Sequence, residues 1–337
     1  MTKEINKYIA TYFDKTKTII EKYNPNNIIK LQFFQRNDNA LLGGMNEVLE
    51  ILEKYTDTSK YTIRYLPEGS KIKNLEIVLE LEGHYQDFGT LEGLIDGVLS
   101  RSSSIATNAY HCVQAANGKP VVFMGDRMDH YLMQKRDGDA VRLAGIEIVS
   151  TPEQNLPDAV IEPFGSIPHA LIQNFDGDVK KAMRAYAETF PDELLISLID
   201  YHNDVIAQFK ESYDELGAKL WGVRVDTSKS VKDHMFDNEE DKPEYYGVNL
   251  EQIKRLRKAM DDYGAKDVKI AVSSGFDAKK IANFEANCAP VDFYGVGQSI
   301  FKLTCAFSAD ATVLNGHNQA KEGRYYRQNN QLKEYKK

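Results

Sequence analysis

Leu194-Leu-Ile-Ser-Leu-Ile-Asp200, Lys219-Leu-Trp-Gly-Val-Arg-Val-Asp226, Val268-Lys-Ile-Ala-Val-Ser273 and Asp292-Phe-Tyr-Gly-Val296 are four short apolar runs in one stretch of chain. Between them, Asp204 to Leu216, Asn249 to Tyr263 and Ala278 to Glu285 carry apolar residues every three or four positions. Short β-rich runs alternating with helical periodicity read as strand and helix taking turns. Such repetition demands a parallel sheet with right-handed crossovers, either open or closed into a barrel.

The rhythm extends backwards to strands at Val121 to Met124 and Ile146 to Val149, with a helix from about His130 to Leu143 that Gly138 is expected to interrupt. About six or seven strands fall short of the eight in a regular barrel, so the expected fold is α/β with an irregular, incomplete (β/α) barrel. Before residue 118 the pattern changes. Tyr61 to Tyr65 and Leu75 to Leu81 are β-like and flank the turn-forming Pro67-Glu-Gly-Ser70, which predicts a small antiparallel unit. Glu92 to Ala116, rich in Ser, Ala and Gly at helical spacing, reads as a closely packed helix between two domains. The acidic stretch Asp233 to Tyr246 lacks an apolar period and is expected to be a solvated loop. The expected organisation is an N-terminal α/β sandwich-like domain over residues 1–117, a phosphate-binding irregular barrel over 118–303, and a segment 304–337 returning to the first domain.

Composition narrows the function. The 337 residues contain 42 Lys plus Arg against 50 Asp plus Glu, a net charge of −8. That balance argues against nucleic acid or an anionic membrane surface as partner, since both favour a basic face. An anionic substrate must instead be held by a local basic cluster. Cys112, Cys288 and Cys305 lie far apart without a CxxC pair, which suggests neither a disulfide framework nor a zinc knuckle. The first residues do not form a secretory apolar region, and no run approaches the roughly 18 residues that span a bilayer. The expectation is a cytoplasmic protein.

Polar residues collect at the strand ends: Gly125-Asp126-Arg127, Asp200, Arg224 with Asp226-Thr-Ser228, Ser273-Ser274-Gly275, and Gly295 with Gly297-Gln298-Ser299. Parallel α/β folds place their active sites on this face. Ser-Ser-Gly before Phe276 and Gly-Val-Gly-Gln-Ser before Ile300 set small residues and backbone N–H groups near helix starts, where a phosphate can approach. Either loop alone could simply be a tight turn, but their pairing on adjacent final strands favours phosphate. Arg127 and Arg224 are rigid forks for carboxylate or phosphate. Asp200 and Asp226 suit sugar hydroxyls or a hydrated Mg²⁺, although singly each Arg–Asp pair could be an ordinary loop-orienting salt bridge. His169, in Gly165-Ser-Ile-Pro-His169-Ala-Leu, carries no chemistry on composition alone.

Taken in order, Tyr12-Phe13, Gly125-x-Arg127, Gly138-Asp139, the His169 motif, Arg224-Val-Asp226-Thr-Ser228, Val272-Ser-Ser-Gly275-Phe-Asp277 and Tyr294-Gly-Val-Gly297-Gln-Ser-Ile resemble the nicotinate phosphoribosyltransferase family. These type II phosphoribosyltransferases include nicotinamide and quinolinate enzymes, and the resemblance runs from about residue 8 to about residue 324. It implies that the ring nitrogen of nicotinate attacks C1 of phosphoribosyl pyrophosphate to give nicotinate mononucleotide and pyrophosphate in NAD salvage. Gly275 and Gly297-Gln298-Ser299 would cradle the 5′-phosphate, and Ser274 and Ser228 would also bind substrate. Asp200 and Asp226 would face ribose and Mg²⁺-bound pyrophosphate, and Arg127 or Arg224 would meet the nicotinate carboxylate or a phosphate. His169 would be phosphorylated by ATP, which enters as co-substrate. Tyr12 would stack on the pyridine ring of a second subunit's site, implying a homodimer or an oligomer of dimers.

The chain departs from the pattern at Met124, where relatives place a stacking aromatic, and at Ala10, where many carry an acid. Both bear on base recognition, although the Met124 sulfur can still pack on a ring. Lys321 and Arg324 either return to the phosphate region or form a basic surface tail. The same motifs leave room for nicotinamide as base, with Asp139 accepting from the amide. They also allow a non-catalytic relative that binds phosphoribosyl pyrophosphate or a nucleotide as a sensor. An unrelated phosphosugar barrel would leave Tyr12 and His169 unexplained, and quinolinate is disfavoured because an Asn-His-Arg element is missing.

Overall fold

The structure, a computed structural model, describes residues 3–163 and 165–336. Helices α1 (Lys3–Asn6) and α2 (Thr11–Tyr23) lead into β1 (Ile28–Phe34), β2 (Ala40–Leu41) and α3 (Met45–Tyr55). Then come β3 (Thr62–Tyr65), β4 (Lys71–Ile72), β5 (Leu79–His84), α4 (Tyr85–Phe88) and the long α5 (Glu92–Ala115). The middle of the chain runs β6 (Val121–Phe123), α6 (Gln134–Leu143), β7 (Ile148–Val149), α7 (His169–Asn174), α8 (Val179–Thr189) and β8 (Leu195–Leu198). It continues through α9 (Val205–Leu216), β9 (Leu220–Val225), α10 (Leu250–Asp262), β10 (Lys269–Val272), α11 (Ala278–Ala286) and β11 (Phe293–Val296). The last strands are β12 (Ser308–Leu314), β13 (His317–Asn318) and β14 (Lys333–Glu334).

The chain divides into two compact units. One comprises the chain up to Tyr110, Ala140–Ala144 and the chain from Phe301 onward; the other comprises His111–Asp139 and Gly145–Ile300. In the first unit a six-stranded sheet has the order β13-β12-β1-β5-β3-β14. Its central strand β1 pairs antiparallel with both β5 and β12, so the segment after Phe301 completes the N-terminal sheet. Met45, Val48 and Leu52 of α3 recur at helical spacing and are fully buried, in one core with Phe33, Ile63, Leu79 and Leu81. Burying each such side chain stabilises the unit by about 1.5–3 kcal/mol before entropy is counted.

The second unit holds a six-stranded parallel sheet ordered β7-β6-β11-β10-β9-β8, an open half-barrel. Every residue of β8 is buried, as expected for a parallel strand covered on both faces. Its helices start where the sequence supplies caps. Asp204, Asn249 and Asp277 accept hydrogen bonds from the amides of Ala207, Gln252 and Lys280, and each cap is worth about 0.5–2 kcal/mol.

Three expectations need correction. Gly138 does not interrupt its helix: α6 runs through it, and a Cβ there would lie 2.0 Å from the Gln154 carbonyl oxygen, so glycine permits a close approach. The strand expected from Leu75 starts only at Leu79, because Leu75 is in a left-handed turn at φ +60°. The 233–246 stretch is not wholly solvated. The fully buried Asp233 carboxylate accepts from the amides of Val205 and Met235, and buried Phe236 stacks on Tyr245 at 4.2 Å.

Candidate active site

In the second unit the sheet sets β6, β11, β10, β9 and β8 side by side and parallel, so the segments leaving their C-terminal ends are neighbours. Asp200 is the second residue after β8, and Arg224 is the penultimate residue of β9. Asp226 follows β9 directly, and its Oδ1 accepts from the Ser273 hydroxyl at 2.6 Å, linking the ends of β9 and β10. His169, the first residue of α7, sits with Nε2 3.3 Å from Oδ2 of Asp200. A histidine and a carboxylate distant in sequence thereby become one unit.

Electrostatics bind this group together. The Asp200 side chain is only 5% exposed and its Oδ1 has no hydrogen-bond partner. Burial pushes its pKa up; His169 and Arg224 oppose that rise while Asp226 adds to it. Burial likewise pulls the Arg224 pKa down, Asp226 and Asp200 restore it, and Arg127 lowers it further. Arg127 thus lies close enough to act on Arg224 although their strands, β6 and β9, are separated by two others. Arg224 also donates through Nη2 to the Ile167 carbonyl at 3.3 Å, holding the His169 segment over the end of β9, and its Nε is buried without a partner. A cation flanked by two acids, with unsatisfied donor and acceptor atoms, is a group arranged for a polar ligand.

The two small-residue loops meet as well. Ser274 and Gly275 both adopt positive φ, +69° and +72°, a conformation rare for serine, which turns the chain sharply off β10. Ser299 donates to the Phe276 carbonyl at 2.9 Å and so ties the loop after β11 to the loop after β10. A Cβ on Gly297 would lie 2.5 Å from the Met124 carbonyl oxygen, and one on Gly295 would lie 2.6 Å from the Met124 sulfur. Met124 therefore fills the space over β11, and these glycines are required by packing as well as suited to an anion.

Other residues singled out in the sequence are placed as follows. Arg127 and Gln298 are exposed, and Ser228 is exposed with its hydroxyl 2.9 Å from that of Ser230. Asp139 is on α6 and accepts from Lys135, four residues back, at 2.8 Å. Tyr12, on α2 of the first unit, is exposed, whereas its neighbour Phe13 is buried. Arg324 pairs with Asp310 at 2.9 Å within the first unit. Ser273 was visible in its motif but carried no role there; only the fold shows that its hydroxyl serves Asp226. Ser166, whose buried hydroxyl has no partner, had no signal beyond its place in the His169 motif.

Among the described residues no group of three or more His, Cys, Asp or Glu could hold a metal ion. No described helix is long and apolar enough to cross a membrane.

The quinolinate phosphoribosyl transferase N-terminal domain family matches residues 11–103. The nicotinate phosphoribosyltransferase pncB2 of Mycobacterium tuberculosis is 26% identical over 274 residues, covering 79% of this chain and 54% of its own length. That of Bacillus subtilis is 23% identical over 314 residues, covering 83% and 59%. The chain thus spans little more than half the length of these relatives. The crystal structure of a nicotinate-nucleotide pyrophosphorylase from Pyrococcus furiosus superposes with a TM-score of 0.83 at 28% identity, over 96% of this chain and 80% of that one. Human nicotinic acid phosphoribosyltransferase shares the fold at a TM-score of 0.70 and 16% identity, over 92% and 75%. An N-terminal domain match, relatives aligned over most of this chain, and a half-barrel whose strand ends gather acids, arginines and glycine loops agree in supporting the type II phosphoribosyltransferase family.

Proposed function

We propose that the protein is a nicotinate phosphoribosyltransferase of NAD salvage, coupled to ATP hydrolysis through a phosphohistidine at His169. The observation that carries this reading is the cluster at the ends of β8, β9 and β10, where His169, Asp200, Arg224 and Asp226 adjoin two linked glycine loops. In the reaction the pyridine nitrogen of nicotinate forms a bond to C1 of phosphoribosyl pyrophosphate while the C1–O bond to pyrophosphate breaks, its electron pair leaving with pyrophosphate. The transition state resembles an oxocarbenium ion, so the protein's task is to hold two anions in line and to stabilise charge at both ends.

The amides around Ser274-Gly275 and Gly297-Gln298-Ser299 suit the 5′-phosphate. Arg224 and Arg127, close enough to repel one another, suit separate anionic groups of the substrates. Asp200, with a bare buried oxygen, and Asp226, with its second oxygen uncommitted to Ser273, fit a hydrated Mg²⁺ held through water better than direct ligation. Such an ion supplies charge neutralisation to departing pyrophosphate.

With Asp200 accepting from Nε2 of His169, the imidazole lone pair is at Nδ1, the nitrogen then available to a γ-phosphate. Phosphorylation there would change the charge facing Asp200 and, through it, Arg224. Tyr12, Ile19 and Tyr23 form an exposed apolar stripe on α2, preceded by exposed Tyr8, which supports pairing with a second copy. Nicotinate is preferred to nicotinamide because the matched relatives carry that name and because Asp139, the acceptor an amide would need, is paired with Lys135. Pyrophosphate release measured with nicotinate, nicotinamide and quinolinate, each with and without ATP, tests the proposal. ATP-stimulated release with nicotinate is expected; a strong preference for another base, or release with none, would overturn it.

A further inference from the structure

Lys280, in the first turn of α11, has no place in the mechanism above, yet its surroundings are unusual for a lysine. Its ammonium lies 4.2 Å from the centroid of the Phe276 ring and 6.0 Å from that of Phe284. It also lies 3.5 Å from the Ser274 carbonyl oxygen, the outer limit of a hydrogen bond. Asp277, the nearest acid in sequence, uses Oδ1 to cap the Lys280 amide at 2.9 Å. Lys280 is half-buried, and an ammonium drawn partly out of water without a counter-charge is costly. Burial accordingly pulls the Lys280 pKa down to about 8, against an opposing pull from Asp277.

The carbonyl that Lys280 faces belongs to one of the two positive-φ residues of the phosphate loop. We propose that Lys280 is a positioning residue for the 5′-phosphate, its ammonium fixing the Ser274-Gly275 turn from the α11 side and supplying the positive charge that the loop's amides lack. The inference rests on the phosphoribosyl-transfer reading and adds to it a residue outside the glycine loops. A phosphate at the loop would in turn satisfy the under-partnered ammonium, so the site and the charge complete each other. A lysine stem merely packing over two phenylalanines would have no such coupling.

The test compares wild type with Lys280→Met, which keeps the apolar stem, Lys280→Gln, which is polar but uncharged, and Lys280→Arg, which keeps the charge. Calorimetric binding of ribose 5-phosphate and of phosphoribosyl pyrophosphate should weaken by about tenfold to a hundredfold in the Met and Gln variants. The KM for phosphoribosyl pyrophosphate should rise in parallel, while kcat and the KM for nicotinate stay within about twofold, the mark of lost uniform binding. The Arg variant should recover most of the affinity. Wild-type affinity for ribose 5-phosphate in a folded Met or Gln variant would overturn the inference and leave the proposed activity standing. Wild-type protein that binds neither phosphosugar would remove the phosphoribosyl reading itself and this inference with it.

Discussion

Arg224→Met removes a cation on which both Asp200 and Asp226 act. In the native chain Asp200 is 5% exposed and lacks a partner for Oδ1; burial raises its pKa, and His169 and Arg224 oppose that rise. Leaving a buried charge uncompensated costs about 3–5 kcal/mol. Loss of the 3.3 Å bond from Arg224 to the Ile167 carbonyl adds only about 1 kcal/mol and does not depend on pH. The two contributions separate on titration. Without Arg224 the Asp200 pKa moves further above its unfolded value, so the variant's native state holds a proton longer than wild type does. The deficit should therefore be greatest above that raised pKa, where Asp200 must ionise, and should shrink as pH falls and the acid neutralises. Urea denaturation followed by circular dichroism across pH 5 to 9 reads this directly. A loss of about 4–6 kcal/mol near pH 8 that declines toward about 1 kcal/mol in acid is expected, with Asp200→Asn in the variant background recovering much of it. A deficit that is flat with pH would refute the electrostatic account of the cluster.

Other perturbations follow from single contacts. Gly138→Ala gains about 1 kcal/mol of helix propensity but drives a methyl against the Gln154 backbone, at a cost of about 1–3 kcal/mol or more, so the urea midpoint should fall. Burial raises Glu92 and Asp96 to about 7, helped in each case by Asp310, so the native state binds protons more tightly than the unfolded chain. The stability they contribute is full below the ordinary carboxylate range and is lost as pH rises through about 7. Asp96→Asn should therefore flatten the decline and exceed wild type by about 2 kcal/mol at pH 8 in urea denaturation. His169→Ala should abolish stimulation of pyrophosphate release by ATP while leaving uncoupled transfer; unchanged ATP dependence would remove the phosphohistidine assignment.

The barrel half of the fold was legible because its local signals agree. Apolar runs mark β8 to β11, and Asp204, Asn249 and Asp277 cap the helices between them. The N-terminal half was harder to read. Strand β1 and its partner β12 are separated by most of the chain, and nothing in Ile28–Phe34 announces a pairing with Ser308–Leu314. Gly138 misled because a glycine that breaks a helix and one that admits a neighbour's carbonyl look alike until the neighbour is placed. Asp233 and Phe236 misled in the same way, since an acidic stretch reads as solvated although these two side chains anchor it. At the candidate site the residue types were visible at the strand ends, but their pairings were not. That Asp200 belongs with His169, and Asp226 with Ser273, follows from the order β10-β9-β8 and the path of the 165–171 segment. Lys280 was invisible for a related reason: beside Lys279 it reads as one of two surface lysines, and only the rings of Phe276 and Phe284 set it apart.

Amide hydrogen exchange with and without phosphoribosyl pyrophosphate tests most directly whether the ends of β8 to β11 form one ligand site. Protection is expected together in 165–171, 273–277 and 295–299, segments far apart in sequence and joined in the fold by Arg224, Asp200 and Ser299. Protection confined to other segments, or absent at saturating ligand, would contradict the account.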